Sequence, residues 1–256
     1  MKSLLNKVAI VTGASSGIGR ATALLFAHEG ARVVVSARRA AELDALVDEI
    51  EGAGGHARSL AGDICDEAVA QRLVEMAVAD FGGLDIAVNN AGTLGASRNI
   101  AAMALDEWRE VMDTNLTSAF LGAKHQVPAM IERGGGSLIY TSSFVGHSVG
   151  MPEMSAYAAS KAGQIGLVKA LAAEWGSKGI RANAVLPGGT DTPASITNAP
   201  GATPQVLAFV EGLHALKRMA TPQEIAQAFL FLASSASSFV TGTAFLVDGG
   251  VSINRT

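Results

Sequence analysis

Six short apolar runs rich in β-branched residues recur along the chain, with longer amphipathic stretches between them, and this alternation restricts the fold more than any other feature. The runs are Val8 to Val11, Arg32 to Val35, Leu84 to Val88, Ser137 to Tyr140, Arg181 to Leu186 and Ala244 to Val247. Runs of this length with little polar alternation mark strands covered on both faces. The stretches Ala40 to Glu51, Asp66 to Phe81, Asp106 to Arg133 and Ala156 to Ser177 carry helical periodicity and the length of crossover helices. The pattern predicts an α/β fold, a doubly wound parallel sheet with helices on both faces. A weaker run, His56 to Ala61, brings the count to about seven strands. No linker, repeat or low-complexity tract interrupts residues 1–256, so a single domain is expected. The stretch Thr190 to His214, rich in Pro, Thr, Gly and Ala, follows a strand end where α/β folds keep their ligands, and predicts a substrate lid at about residues 190–215.

Composition narrows the partners. Of 256 residues 49% are hydrophobic and 16% charged, against about 25% charged in an average globular protein. Disorder and solvated coiled coils are thereby excluded, and buried subunit contacts are expected. A net charge of −4, with no basic run beyond Arg38-Arg39, argues against nucleic acid. The one cysteine, Cys65, has no disulfide partner, and no Cys/His spacing suits a metal. No apolar run approaches the roughly 20 residues of a membrane helix, and no export-signal pattern is present. A cytoplasmic chain is the expectation.

Directly after the first strand comes Thr12-Gly13-Ala14-Ser15-Ser16-Gly17-Ile18-Gly19, followed by an apolar helix. Strand, glycine turn and helix form a phosphate seat, because glycines admit the pyrophosphate to the backbone and the helix N-terminus meets its charge. The same residues contain Gly13-x-Ser15-x-Gly17, which matches the nucleophile elbow of α/β-hydrolases. An elbow serine needs an earlier strand-helix loop to complete its oxyanion hole, and only one strand precedes it. Near the end of the second strand, where a binder of a free ribose 2′-hydroxyl carries Asp or Glu, the chain has Ser36-Ala37-Arg38-Arg39. Two guanidiniums attract a 2′-phosphate, so NADP(H) is predicted over NAD(H). Arg39 is the more readily assigned of the two to a solvated helix start.

Tyr157 and Lys161 stand at i and i+4 on one helix face. A phenol is a poor acid-base catalyst near its usual pKa of about 10, and a neighbouring cation favours the phenolate. Thr141-Ser142-Ser143 ends the fifth strand, where a serine can hold a carbonyl oxygen, and Asn115 lies inside a helical stretch. Taken singly, each has a bland packing explanation.

Together these residues resemble the short-chain dehydrogenase/reductase family over essentially the whole chain. Thr12 to Gly19 resembles its TGxxxGxG turn, Asn89-Asn90-Ala91-Gly92 its NNAG motif, Tyr157 to Lys161 its YxxxK motif, and Pro187-Gly188-Gly189-Thr190 with Thr192 its PG motif. Asn115 and Ser143 fall where the rest of its Asn-Ser-Tyr-Lys tetrad would be. The resemblance implies a Rossmann-type fold and a carbonyl/alcohol oxidoreductase with Tyr157 as acid and base. It implies that Lys161 holds the nicotinamide ribose, Ser143 positions the substrate oxygen and Asn115 anchors a relay water. Gly13, Ser15, Ser16, Gly17, Ile18 and Gly19 would seat the pyrophosphate and Arg38 and Arg39 the 2′-phosphate. Asp63 and Ile64 would contact adenine, while Asn89, Ala91 and Gly92 would line the adenosine side. Pro187, Gly188, Gly189, Thr190 and Thr192 would contact the nicotinamide end. The resemblance also implies a homotetramer, with small residues of the Tyr157 helix, Ala158, Ala162, Gly163 and Gly166, at an interface.

Two departures stand out. Ser143 lies 14 residues before Tyr157, one more than the usual family spacing, which leaves Ser142 as a substitute. The acid after the second strand is missing, as in the NADP-preferring subset. His28, His56, His125 and His214 read as surface or helix residues, whereas His147 is a candidate for the pocket border. Leu94, Phe144, Met151, Met154, Ile196 and Phe209 are candidates for an apolar pocket wall. Two other functions are compatible with these residues: a 3-oxoacyl-(acyl-carrier-protein) reductase, which would need a basic docking patch from Arg98, Lys124 and Arg133, and a catalytically silent dinucleotide-binding protein.

Overall fold

The computed structural model describes residues 2–254. Seven strands run parallel in one sheet: β1 (Val8–Thr12), β2 (Arg32–Ala37), β3 (His56–Ala61), β4 (Ile86–Asn89), β5 (Gly136–Thr141), β6 (Ile180–Pro187) and β7 (Ala244–Val247). Their order is β3-β2-β1-β4-β5-β6-β7. The expected doubly wound sheet is thus present, including the weak run at His56, whose residues pair with β2 from Arg32↔His56 to Ala37↔Ala61.

Successive side chains of a strand point to opposite faces, and β1 shows what that alternation builds. Val8 and Ile10 enter one core with Leu73, Val127 and Ile165, whereas Ala9 and Val11 enter the other with Phe26, Leu46 and Phe229. The helices on the first face are α3 (Glu67–Phe81), α5 (Ser118–Glu132) and α6 (Ser155–Trp175); those on the second are α1 (Gly17–His28), α2 (Ala40–Gly52) and α8 (Pro222–Ala233). Asp66 caps α3 by accepting from Ala68 N–H at 2.9 Å, which stops the helix one residue inside the expected start. No described helix is long and apolar enough to cross a membrane.

The stretch Asp106 to Arg133 is not one helix. It divides into α4 (Leu105–Met112), a π-helical turn over Asp113–Thr117, and α5. A π-turn shifts the hydrogen-bond ladder by one residue and is common at functional sites. Here it falls on Asn115. The stretch from Thr190 to His214 is more ordered than its composition suggests, with a 3-10 turn at Ile196–Asn198 and α7 (Pro204–Leu213).

Tyr140 on β5 is fully buried, and its hydroxyl meets no hydrogen-bond partner among the described residues. Burial alone pushes its phenol well above the usual tyrosine range. A buried, unpaired hydroxyl costs its desolvation without a compensating bond. Tyr140→Phe is therefore expected to stabilise the fold by about 1 kcal/mol, read as a higher urea midpoint, and to leave turnover unchanged.

Candidate active site

Strand order reverses between β1 and β4, and this opens a crevice at the carboxyl ends of the strands. The glycine turn lies on one side of it. Gly13 and Gly17 have φ of 66° and 54°, and a Cβ on Gly19 would lie 2.3 Å from the Gly13 carbonyl oxygen. Close approach of backbone therefore depends on these three positions. At the start of α1, Ser16 makes no side-chain cap and the first turn has no acid. The positive end of the helix is left for an anion, so the turn fits a dinucleotide pyrophosphate.

Arg39 does not simply begin α2. Its guanidinium donates to Ser15 Oγ at 2.9 Å and Ser16 Oγ at 3.1 Å, and pairs with Glu42 at 3.2 Å. This bond also removes the hydrolase elbow, since Ser15 receives an arginine where an elbow serine would meet a histidine. Arg38 is exposed. Asp63, just after β3, accepts from Cys65 N–H at 3.0 Å, and that bond holds its carboxyl below the usual range, with Arg38 adding to the effect. Ile18 and Ile64 are partly buried and pack against the two cores.

On the far side of the reversal, the side chain of Asn89 is turned away from the crevice. It forms a buried reciprocal pair with Gln126, at 2.9 and 3.0 Å, leaving only its backbone for the adenosine side. Asn90 faces the crevice instead. Its Nδ2 donates to the Thr12 carbonyl at 3.0 Å and its Oδ1 accepts from Thr141 Oγ1 at 3.0 Å, joining the ends of β1, β4 and β5. Ala91 N–H donates to Thr12 Oγ1 at 3.1 Å. A Cβ on Gly92 would lie 3.0 Å from Asn115 Oδ1 and 3.3 Å from Lys161 Nζ, so the nucleotide side and the tetrad candidates meet at this residue.

Those four candidates converge at the carboxyl end of β5. Lys161 is buried and donates from Nζ to the Thr141 carbonyl at 2.6 Å, with Nζ 5.7 Å from the centre of the Tyr157 ring. Burial pulls its ammonium down to about 7. Burial also raises the Tyr157 phenol, against which the Ser143 hydroxyl acts by hydrogen bonding to it. Burial and Ser143 set the direction of the phenol here, burial outweighing the hydrogen bond. The two serines divide the alternatives: Ser142 donates to the Lys161 carbonyl at 2.8 Å, and Ser143 faces Tyr157. Asn115 is fully buried. Its Oδ1 accepts from Thr93 N–H at 2.8 Å, and its Nδ2 donates to the Thr93 carbonyl at 2.9 Å and Ser160 Oγ at 3.0 Å.

Above the crevice, Gly188 N–H donates to Val247 O at 3.1 Å, directly after Pro187, and Thr190 Oγ1 to Gly188 O at 3.1 Å. A Cβ on Gly17 would touch Thr192 at 3.1 Å, which brings the loop after β6 over the glycine turn. His214 corrects the surface assignment. It is 2% exposed, its Nε2 accepts from Gly189 N–H at 2.9 Å, and its Nδ1 donates to the Val210 carbonyl at 2.8 Å. Val210 is four residues away, but Gly189 is 25 residues distant, and it is this contact that nothing local marks. His147 is exposed, as are Ile196 and Phe209. Beside Tyr157 an apolar wall forms from Phe144, Val145, Met151, Met154, Leu213 and Val251. Gly163 packs against Leu116 within the same chain, while Gly166 faces open space.

Among the described residues no His, Cys, Asp and Glu cluster suits a metal. A phosphate seat at a strand-order reversal, beside a partly buried tyrosine and a buried lysine, defines an α/β oxidoreductase. A family model described as enoyl-(acyl carrier protein) reductase matches residues 13–252. Cyclohexanol dehydrogenase of Acinetobacter sp. (strain SE19) is 40% identical over 248 residues, 95% of this chain and 94% of the relative. A 3-oxoacyl-(acyl-carrier-protein) reductase of Thermotoga maritima is 40% identical over 250 residues, 98% of this chain and 99% of the relative. The crystal structure of carveol dehydrogenase from Mycobacterium avium in complex with NAD superposes with a TM-score of 0.94 at 30% identity, covering 99% of this chain and 100% of that one. The chain belongs to the short-chain dehydrogenase/reductase family, enzymes that interconvert alcohols and carbonyl compounds.

Proposed function

We propose that the chain is a cytoplasmic, NADP(H)-dependent reductase of an uncharged ketone or aldehyde, able to run in reverse as an alcohol dehydrogenase. The convergence of the Ser143 hydroxyl, the Tyr157 phenol and the Lys161 ammonium at the end of β5 carries the reading. The nicotinamide cofactor supplies the hydride when bound. Ser143 holds the substrate oxygen beside the phenol, and Tyr157 delivers a proton to it in reduction and removes one in oxidation. With its pKa raised, the phenol keeps its proton at neutral pH, the form that reduction consumes. Lys161 binds the ribose hydroxyls and stabilises the phenolate left after proton transfer, and Asn115 fixes the Thr93 backbone under the crevice. Residues of about 190–215 act as the lid of a single domain.

NADP(H) over NAD(H) is supported by Arg38, Arg39 and Ser15, all grouped where a 2′-phosphate would fall. Arg39→Ala is expected to raise the KM for NADPH about tenfold and to leave the KM for NADH unchanged. An unaltered preference would remove the arginine from this role.

The apolar wall beside Tyr157 supports a small apolar substrate. The docking candidates of the acyl-carrier reading are each paired with an acid, Arg98 with Glu107 at 2.6 Å, Lys124 with Glu67 at 2.6 Å and Arg133 with Asp85 at 3.4 Å. The reading is tested by NADPH oxidation against cyclic ketones, aldehydes, keto esters and an acetoacetyl thioester. Turnover of ketones that is lost in Tyr157→Phe supports it; turnover of the thioester alone favours the acyl-carrier function; tight NADPH binding without turnover favours a silent binder. Phe239, fully exposed, with Phe231 and Leu246 near the β7 edge, supports a homotetramer, which sedimentation reads directly.

A further inference from the structure

Gln164 is 1% exposed and sits one helical turn beyond Lys161 on α6. It has both ends engaged. Its Nε2 donates to the Asn115 carbonyl at 2.7 Å, and its Oε1 accepts from Lys161 Nζ at 3.4 Å.

The π-turn explains why such a residue is needed. A π-turn leaves one carbonyl without its usual N–H donor where the α-helical ladder resumes, and after Asp113, whose carbonyl takes Ser118 N–H, side chains serve the carbonyls that follow. The Thr114 carbonyl takes the Ser118 hydroxyl at 2.7 Å, a bond local to the turn. The Asn115 carbonyl takes a side chain 49 residues away. A carbonyl and an ammonium buried together each need a partner of the right kind, so the carboxamide of Gln164 is fixed in orientation: its N–H faces the Asn115 carbonyl and its oxygen faces the lysine.

We propose that Gln164 is a positioning residue, which holds the Lys161 ammonium between its own amide oxygen and the Thr141 carbonyl and registers it against the π-turn that carries Asn115. The proposal rests on the catalytic reading of Tyr157 and Lys161 given above. It adds a second acceptor for a cation that has no carboxylate partner among the described residues. From β5 the ammonium meets the Thr141 carbonyl, from the loop after β4 it meets Gly92, and from its own helix it meets Gln164 and Tyr157, of which only Tyr157 ionises. An acceptor aimed at an ammonium favours its charged form. Gln164 thus opposes the desolvation that discharges Lys161, and keeps it cationic when the Tyr157 proton leaves.

The test uses full-length protein with 13C-labelled lysine, the Lys161 resonance being assigned by its loss in Lys161→Met. Gln164→Met keeps nearly the same volume and removes both contacts, whereas Gln164→Glu keeps an acceptor for the lysine. The Lys161 amine is expected to titrate about half a pH unit lower in Gln164→Met and higher than wild type in Gln164→Glu. Turnover at neutral pH is expected to fall about tenfold in Gln164→Met with the KM for the carbonyl unchanged, and to recover in part in Gln164→Glu. A merely structural role would lower stability in both variants without separating their lysine titrations. An unchanged Lys161 titration in Gln164→Met overturns the proposal. The titration needs no substrate, so it judges Gln164 even where Tyr157→Phe retains activity and the catalytic reading itself fails.

Discussion

Tyr157→Phe is expected to lower carbonyl reduction about a thousandfold at neutral pH while NADPH binds as it does to the wild type. The change removes one oxygen. It leaves the ring over Lys161, the apolar wall and the glycine turn in place, because the phenol contributes packing through its ring and chemistry through its hydroxyl. What is lost is the proton donor held beside Ser143, for which no other described side chain is placed. Kinetic constants and a fluorescence titration of NADPH separate the two effects. Turnover close to wild type would remove Tyr157 from proton transfer and leave the nucleotide site intact.

Lys161→Met is expected to lower turnover at least a hundredfold, since a cation near a developing phenolate supplies electrostatic stabilisation that water cannot replace in a closed site. It carries a second signature in stability. Burial pulls the folded-state ammonium down to about 7, against about 10.4 for a free lysine. Below pH 7 both folded and unfolded chains hold the proton, and the desolvation cost is fully present. Between about pH 7 and 10 the unfolded chain holds a proton that the folded one has released, so wild-type stability rises with pH, with a slope approaching 1.4 kcal/mol per unit. The Met variant lacks this term. Urea unfolding of the two proteins at pH 6.5 and 9 is expected to show the wild type gaining on the variant as pH rises; parallel curves would mean that the lysine stays charged throughout.

Much of the fold is legible because a strand covered on both faces leaves an unmistakable apolar run, as in β1, where Val8 to Val11 are all buried. The exceptions have physical causes. α8 escapes notice although Thr221 and Glu224 write a capping box at its start, with Thr221 Oγ1 accepting from Glu224 N–H at 3.2 Å and Glu224 Oε2 from Thr221 N–H at 2.9 Å. That signal is local and available to a reader. The π-turn at Asn115 is different, because its stabilising partners, Thr93, Ser160 and Gln164, come from other elements. Local periodicity shows one helix there. The choice between Ser142 and Ser143 stays open in sequence for a similar reason: which of two adjacent serines faces the crevice depends on where α6 places its Lys161 carbonyl. His214 is the hardest to foresee, since its slot is made by Gly189 and Gly249, against which its ring rests.

The floor of the crevice is joined by side-chain bonds that run from the phosphate turn to the lysine: Asn90 to the Thr12 carbonyl, Thr141 to Asn90, and Lys161 to the Thr141 carbonyl. The cover is attached otherwise. It leaves the sheet after β6, returns where Thr190 pairs with Ala220, and is bolted by His214 alone among the histidines. Heritable change can therefore act on the two parts at different rates. With this stretch as the proposed lid, insertions, deletions or exchanges between residues 193 and 209 are expected to redraw what the enzyme admits, while the floor keeps the same reaction for each new substrate.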